Sequence, residues 1–297
     1  MLQLSEMRLD FLLEQRETTR RSYADLAELH LGDRTLGTEL RSVLRSYKRT
    51  SRATMLDPIR KLFADAITLP TEPILVISDT HCPYQNKELL LNAFRIAQER
   101  GIKTLVHAGD LIDGAAYNTQ AKHEQVPPIE LEIEHARSLL YCALSYFDKL
   151  YIIPGNHDAH YFHKEKISFT SFIHDVILNG QYTTRVITTD HDFIYYSDFA
   201  IIGHLTNGYD MIPGKIATQL AIKYNMHSLV GHDHLFGAIQ AENGKYGISI
   251  GASFVPGSFS YKAKAYNVFP NTGLGFVIIM DNKIHHFDEL LNERIYE

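Results

Sequence analysis

The sequence predicts an α/β domain of two packed sheets with flanking helices over residues 69–297, preceded by a small all-helical, helix-turn-helix-like domain over residues 1–68. Three observations predict it. Short β-branched and aliphatic runs stop abruptly at polar residues, as ILVISDTH does at Asp79-Thr80-His81, which is how a buried parallel strand reads when its carboxyl end carries a site. Amphipathic helical stretches separate the first of these runs, and that alternation implies parallel strands joined by crossovers. The first 68 residues show helical patterning without a convincing strand and end at Leu69-Pro70-Thr71-Glu72-Pro73, where two prolines favour an extended connector.

In the N-terminal part, Ser22 and Asp25 have capping-box spacing before YADLAELHL, and Gly32-Asp33-Arg34-Thr35 makes a break before a second helix running from Leu36 towards Lys48. Leu36, Leu40, Val43, Leu44 and Tyr47 form one apolar face of that helix. Arg41, Arg45, Lys48, Arg49 and Arg52 repeat the spacing five residues on, which at about 100° per residue separates a basic stripe from the apolar one. Phosphate is the matching partner class, so DNA or RNA is the expected partner. A basic face is also what a solvated helix presents, or one docked on an acidic neighbour.

Beyond the connector, ILVISDTH is followed by an amphipathic helix from Lys87 to Arg100 with Gly101 as its stop, then by the strand TLVHAGD. A long helix from Ile129 to Phe147 leads into LYIIPGNHD. From Tyr182 to His204 the segments RVITT, FIYYS and FAIIGH are closely spaced, with Ser197-Asp198 as a tight turn, and a second sheet is expected to begin there. A helix from Gly214 to Tyr224 precedes HSLVGHDH, and the tail returns to strands in YGISIGAS and GFVIIMDNKIHHF, with Asp281-Asn282 as a hairpin turn.

The 297 residues, 45% of them hydrophobic, suffice for one large domain and an appendage. A formal charge of −6 makes no global claim on nucleic acid, so any such claim rests on the local stripe. Cys82 and Cys142 resemble neither a disulfide framework nor a zinc finger and are read as reduced. The N-terminus lacks a secretory pattern, and no run approaches the roughly 20 apolar residues that span a bilayer. A cytoplasmic protein without a membrane partner is expected.

Five strand ends carry ligand-type residues: Asp79 and His81, Asp110, Asn156, His204, and the pair His232 and His234. A single Asp or His after a strand is usually a turn residue. Five in order imply one composite pocket, because the carboxyl edge of a sheet gathers such ends side by side. Oxygen and imidazole donors in this mix suit a pair of divalent first-row transition ions. Such a pair polarises a phosphoryl oxygen and generates hydroxide at neutral pH, so phosphoester hydrolysis is the expected chemistry.

The order DTH, GD, GNHD, GH, GHDH resembles the calcineurin-like metallophosphoesterase superfamily, from about Ile74 to Phe287 and outside the N-terminal helices. The resemblance implies an αββα sandwich. It implies that Asp79, His81 and His234 hold one metal, that Asn156, His204 and His232 hold the other, and that Asp110 bridges them. It further implies that His157 protonates the leaving oxygen and that Asp113 orients it; an imidazole held by a carboxylate has its orientation fixed and its cationic form favoured. Manganese is the expected metal pair, with iron, zinc, nickel and cobalt as alternatives.

Protein phosphatases of this superfamily carry an arginine where this chain has Gly114, and GNHE where it has Gly155-Asn156-His157-Asp158, so a protein phosphatase is disfavoured. The segment after GDLID is similar to phage and bacterial members, which points to bacterial or phage-infected host cytoplasm. The expected function is a dinuclear-metal phosphodiesterase or nuclease on nucleic acid. An enzyme of small nucleotides is the alternative, and an inactive binding scaffold is argued against by the complete ligand set. Of the other histidines, His107 reads as a packed core imidazole, His160 and His163 as pocket neighbours, and His123, His285 and His286 as bland.

Overall fold

A computed structural model describes residues 12, 15–16, 21–54, 65–117, 126–204, 210–258 and 272–297, without the side chains of 46–54. The chain divides into two units, Met1–Ala64 and Asp65–Glu297. In the first, α1 (Tyr23–Leu31) starts at Ser22, whose hydroxyl accepts the Asp25 N–H at 3.1 Å, and ends at Gly32 in the left-handed region. Asp33 caps a 3₁₀ turn, Arg34–Leu36, by accepting the Thr35 N–H at 2.8 Å, and α2 (Gly37–Thr54) follows. These local caps satisfy helix-end N–H groups that have no partner within the helix.

Leu26 and Ala27 of α1 and Leu40 and Leu44 of α2 are fully buried together with Leu12, and Leu36 and Val43 pack beside them. Arg41 and Arg45 are exposed. The side chains of Tyr47, Lys48, Arg49 and Arg52, which complete the expected apolar and basic faces, lie outside the described residues.

The second unit is an α/β sandwich of two mixed sheets. One sheet has the order β13-β12-β11-β2-β3-β4-β5, built from β2 (Ile74–Ile77), β3 (Thr104–Ala108), β4 (Lys149–Ile153), β5 (Val186–Thr188), β11 (Gly275–Met280), β12 (Lys283–Asp288) and β13 (Glu293–Tyr296). The other has the order β1-β6-β7-β8-β10-β9, built from β1 (Thr68–Leu69), β6 (Phe193–Tyr196), β7 (Ala200–Gly203), β8 (His227–Val230), β9 (Phe236–Gln240) and β10 (Tyr246–Ile250). β2 to β5 run parallel, as do β7 and β8.

The period-2 alternation of each strand assigns its side chains to two cores. Ile74, Val76, Val106, Ala108 and Ile153 meet Ile194, Ile202, Leu229, Ile248 and Ile250 between the sheets. Leu75, Ile77, Leu105, Leu150 and Ile152 face the other way, against Leu90, Ala93 and Phe94 of α3 (Lys87–Glu99) and Ala136, Leu140 and Ala143 of α4 (Ile129–Tyr146). Two-sided burial explains why these strands read as unbroken apolar runs. α5 (Asn156–Glu165) follows β4 directly, and α6 (Lys215–Tyr224) joins β7 to β8. Among the described residues no helix is long and apolar enough to cross a membrane.

Two expectations about strands are corrected. RVITT does not open the second sheet; β5 completes the first, pairing parallel with β4, and β6 is the first strand after it to join the other sheet. Thr68, expected at the end of the helical stretch, and Leu69, expected in the extended connector, form a short strand parallel to β6. Two residues carry too little periodicity to show this, since the pairing partners, Tyr195 and Tyr196, lie far downstream. The Asp281-Asn282 turn is as expected, both residues having positive φ (54° and 57°) between antiparallel β11 and β12.

Candidate metal centre

Parallel strands deliver their carboxyl ends to one edge, and here both sheets do so at the same place. β2 supplies Asp79 and His81, β3 supplies Asp110, the turn after β4 supplies Asn156 and His157, β7 supplies His204, and the turn after β8 supplies His232 and His234. Five of these residues sit at positive φ: Asp79 (53°), His81 (42°), Asp110 (55°), His232 (85°) and His234 (56°). Each such residue costs about 1–3 kcal/mol and persists only where its surroundings over-determine it. The backbone supplies that hold: Asp79 N–H donates to Gly109 O (3.0 Å), His81 N–H to Asp110 O (3.0 Å), and Gly231 N–H to Gly203 O (3.0 Å).

The side chains form three overlapping clusters of possible ligands, Asp79, His81, Asp110 and His234 in the first, Asp110, His204 and His232 in the second, and His81, Asp113 and His157 in the third. In the first, His81 Nε2 and His234 Nε2 are 3.0 Å apart, and His234 Nε2 is 3.2 Å from Asp79 Oδ1. In the second, Asn156 Oδ1 lies 3.1 Å from His204 Nε2 and 2.8 Å from His232 Nδ1. Asp110 joins them, its Oδ2 being 3.5 Å from His81 Nε2 and 3.2 Å from His204 Nε2. Asp79, His81, Asp110 and His204 are buried, whereas Asn156, His232 and His234 are half-buried and form the open side.

The neighbouring carboxylates and imidazoles hold each other in charged or neutral form. Burial raises the Asp110 carboxyl, but His204, His157 and His81 outweigh it and hold Asp110 well below the usual carboxylate range; His234 and His204 do the same for Asp79. Burial drives His81 and His232 down to about 4, the neutral form in which imidazole binds metal. Burial also lowers His204 and His157, yet Asp110 in both cases, with Asp79 or Asp113, lifts them to about 10 and about 9.

His157 and Asp113 make up the third cluster with His81. His157 N–H donates to Asp110 Oδ1 (2.8 Å), its Nδ1 donates to Asp113 O (2.6 Å), and that nitrogen is 3.4 Å from Asp113 Oδ1. Asp113 Oδ1 is also 3.1 Å from His81 Nδ1. One carboxylate therefore orients both a ligand-type imidazole and His157, whose ring is 4.5 Å from that of His81. All nine residues expected from the sequence come together.

A family model described as calcineurin-like phosphoesterase matches residues 72–236, more than half of the chain. The chain belongs to this family. It is a metal-dependent phosphoester hydrolase by membership, with a residue cluster that could hold a dinuclear metal site. Similar solved structures include vacuolar protein sorting 29 from Cryptosporidium parvum, at 14% identity over 75% of this chain and 95% of that one, TM-score 0.42. They also include an archaeal phosphodiesterase, at 15% identity over 75% and 98%, TM-score 0.39, and the phosphoesterase Yfce from E. coli, at 12% identity over 74% and 96%, TM-score 0.41. No curated protein matches the sequence.

Around this phosphoesterase centre stand residues whose roles only the fold reveals. Asp158 is buried and accepts the N–H groups of Leu111 (3.2 Å), Ile112 (3.0 Å) and Gly155 (2.9 Å), tying the β3 and β4 turns together. Asp233, between the two histidines of GHDH, accepts from the Ser249 hydroxyl and from Leu235 N–H. Both lie inside the motifs, so an acidic residue flanked by ligands was the available signal. Phe254 packs edge-on against His81 and His234, and nothing in its neighbourhood in sequence marks it.

His107 is a buried core imidazole beside the Thr80 hydroxyl (2.9 Å). His160 is half-buried, 5.7 Å ring to ring from His157, and His163 is exposed. His285 and His286 are buried, the latter donating from Nε2 to Ile250 O (3.0 Å). His123 lies outside the described residues.

Gly155 shows how closely the turns approach. A β carbon there would lie 2.1 Å from Asp110 N and 2.2 Å from Asp110 Oδ1. Gly155→Ala is therefore expected to displace Asp110 and weaken metal binding by about 10- to 100-fold, the usual effect of disturbing a group that orients a ligand. Calorimetric metal titration measures this, and an unchanged affinity would show that the Asp110 position is not what holds the metals.

Proposed function

We propose that the chain is a dinuclear-metal phosphodiesterase acting on nucleic acid. Asp79, His81 and His234 would hold one divalent ion, Asn156, His204 and His232 the other, with Asp110 between them and manganese as the activating metal. The observation that carries the assignment is the single Asp110 oxygen facing His81 and His204 at 3.5 and 3.2 Å. The donor set fits: carboxylate and amide oxygens with imidazole nitrogens match borderline transition ions. Two imidazole nitrogens 3.0 Å apart at His81 and His234 likewise suit a shared cation better than mutual contact.

The ions supply Lewis-acid polarisation of a phosphoryl oxygen and a nucleophile at neutral pH. This chain's residues supply the rest. His157, fixed through Nδ1 by Asp113, keeps Nε2 for donating a proton to the leaving oxygen. Asp113 holds that ring and His81 in a common frame. Asp158 locks the turn that presents His157.

The nucleic-acid part of the proposal rests on α2. Arg41 and Arg45 are exposed one turn apart, each next to a buried leucine, Leu40 and Leu44. Lys48, Arg49 and Arg52 extend the series in the sequence. Such a stripe neutralises successive phosphates without reading bases.

Chelation is expected to abolish hydrolysis of bis-p-nitrophenyl phosphate, and Asp110→Asn to abolish it even with manganese resupplied; full activity in chelator would overturn the dinuclear reading. His157→Ala should leave metal content unchanged and lower kcat by about 10²- to 10⁴-fold, the range of a positioned general acid. That loss should shrink as the leaving group improves, which an aryl diester series measures. Replacing Arg41, Arg45, Lys48 and Arg49 by Gln should spare the small diester. It should flatten the salt dependence of duplex DNA binding by up to about 0.9 for each phosphate no longer neutralised. Unchanged binding and slope would move the substrate to small nucleotides.

A further inference from the structure

Glu132 lies on the buried stripe of α4, in series with Ala136, Leu139, Leu140 and Ala143, and is itself fully buried. A carboxylate at a core position costs several kcal/mol unless its oxygens are satisfied. Those oxygens accept two consecutive backbone N–H groups, Gly114 to Oε2 (2.6 Å) and Ala115 to Oε1 (3.3 Å). Among the described residues no lysine or arginine pairs with it. Burial accordingly pushes its carboxyl up to about 8 against the pull of the two N–H groups.

These two N–H groups begin the 3₁₀ turn Ala115–Tyr117, immediately after Asp113. Asp113 is held on its other side by its own N–H donating to Cys82 O (3.1 Å). Gly114, at φ 60°, lies directly against α5: a β carbon there would be 2.6 Å from His157 O. A shift of Gly114 is therefore felt at both ends of the His157–Asp113 contact, through the Asp113 carbonyl that His157 Nδ1 donates to and through the first turn of α5.

We infer that Glu132 is a positioning residue for proton donation, clamping the Asp113–Gly114–Ala115 backbone so that His157 keeps its aim at the leaving oxygen. The inference rests on the reading of His157 as the acid. It assigns Glu132 no contact with substrate or metal. Its oxygens are spent on the two N–H groups, and its position in α4 places it behind the loop rather than at the open side formed by Asn156, His232 and His234.

The test uses the full-length manganese-loaded protein on aryl phosphodiesters whose leaving phenols differ in acidity. Glu132→Gln keeps the volume but offers one acceptor for two N–H groups. It is expected to lower kcat by about 10- to 100-fold for the poorest leaving group, as loss of an orienting group does. The loss should be smaller for p-nitrophenolate, with KM and metal content unchanged. Amide hydrogen exchange at Gly114 and Ala115 should accelerate, a readout independent of turnover. Glu132→Asp retains the carboxyl group but shortens the reach and should show the same leaving-group signature, so that misfolding of one variant does not decide the matter.

Because the role acts through His157, the double variant His157→Ala/Glu132→Gln should be no slower than His157→Ala alone. Additive losses, or a Glu132→Gln loss equal across leaving groups, would overturn the positioning role while leaving His157 as the acid. A His157→Ala loss that is itself equal across leaving groups would overturn the acid reading first, and this role with it.

Discussion

The structure depends on keeping one ionised carboxylate, Asp110, buried where five loops meet. An isolated charge in such a place is too costly to persist, so its neighbours must compensate it. His157 N–H donates to one oxygen, and His204 and His81 face the other. These partners come from different strands and from both sheets, so the compensation exists only when β2, β3, β4 and β7 end level with one another. Sheet register is thereby coupled to the site. In the first sheet Ile77, His107 and Ile152 stand in line, and the chain leaves each strand within a few residues of that line to place Asp79, Asp110 and Asn156.

The same convergence explains how the strained turns are retained. Five ligand-type residues in the left-handed region amount to several kcal/mol of unfavourable backbone, on the order of a domain's net stability. Two dry cores offset it, one between the sheets and one beneath α3 and α4. The loop 110–115 is held from three sides. It receives Asp158 from α5 at the N–H groups of Leu111 and Ile112, Cys82 O from the β2 turn at that of Asp113, and Glu132 from α4 at those of Gly114 and Ala115. Three independent anchors on six residues leave the side chains of Asp110 and Asp113 little freedom. Preorganisation of this kind is what allows hydrogen-bonded charges to act without reorganising during a reaction.

What is legible in the sequence follows a physical division. Strand ends with ligand residues stand out because a buried parallel strand is an uninterrupted apolar run, and its polar stop is conspicuous: Asp79, Asp110, Asn156, His204 and His232 are all located this way. Sheet membership is not legible for β5 and β1, because RVITT and Thr68-Leu69 are short, and pairing is a long-range contact without local periodicity. The anchoring carboxylates are hidden for a different reason. Asp158 and Asp233 look like extra members of motifs already explained, and Glu132 reads as one more charge on an amphipathic helix until its burial is known. Phe254 covers two imidazoles from a position separated from them by sequence, and only the fold brings it there.

Charge distribution connects the two units to the proposed substrate. Residues 41–61 carry a net charge of +6, and of the formal total of −6 the unit Asp65–Glu297 carries −9 and Met1–Ala64 carries +3. A polyanion approaching the phosphoesterase domain meets a body of like sign, whose field at physiological salt decays over a Debye length of about 8 Å. A small diester can come that close by diffusion and be captured at the site. A nucleic acid must bring several phosphates within that range at once, and each of them adds to the repulsion. On the proposed reading a basic segment on the same chain answers this, because each neutralised phosphate releases counterions and the gain accumulates with contour length. The stripe matters in proportion to the length of the substrate, which is why a small diester tests the metal centre and a duplex tests α2.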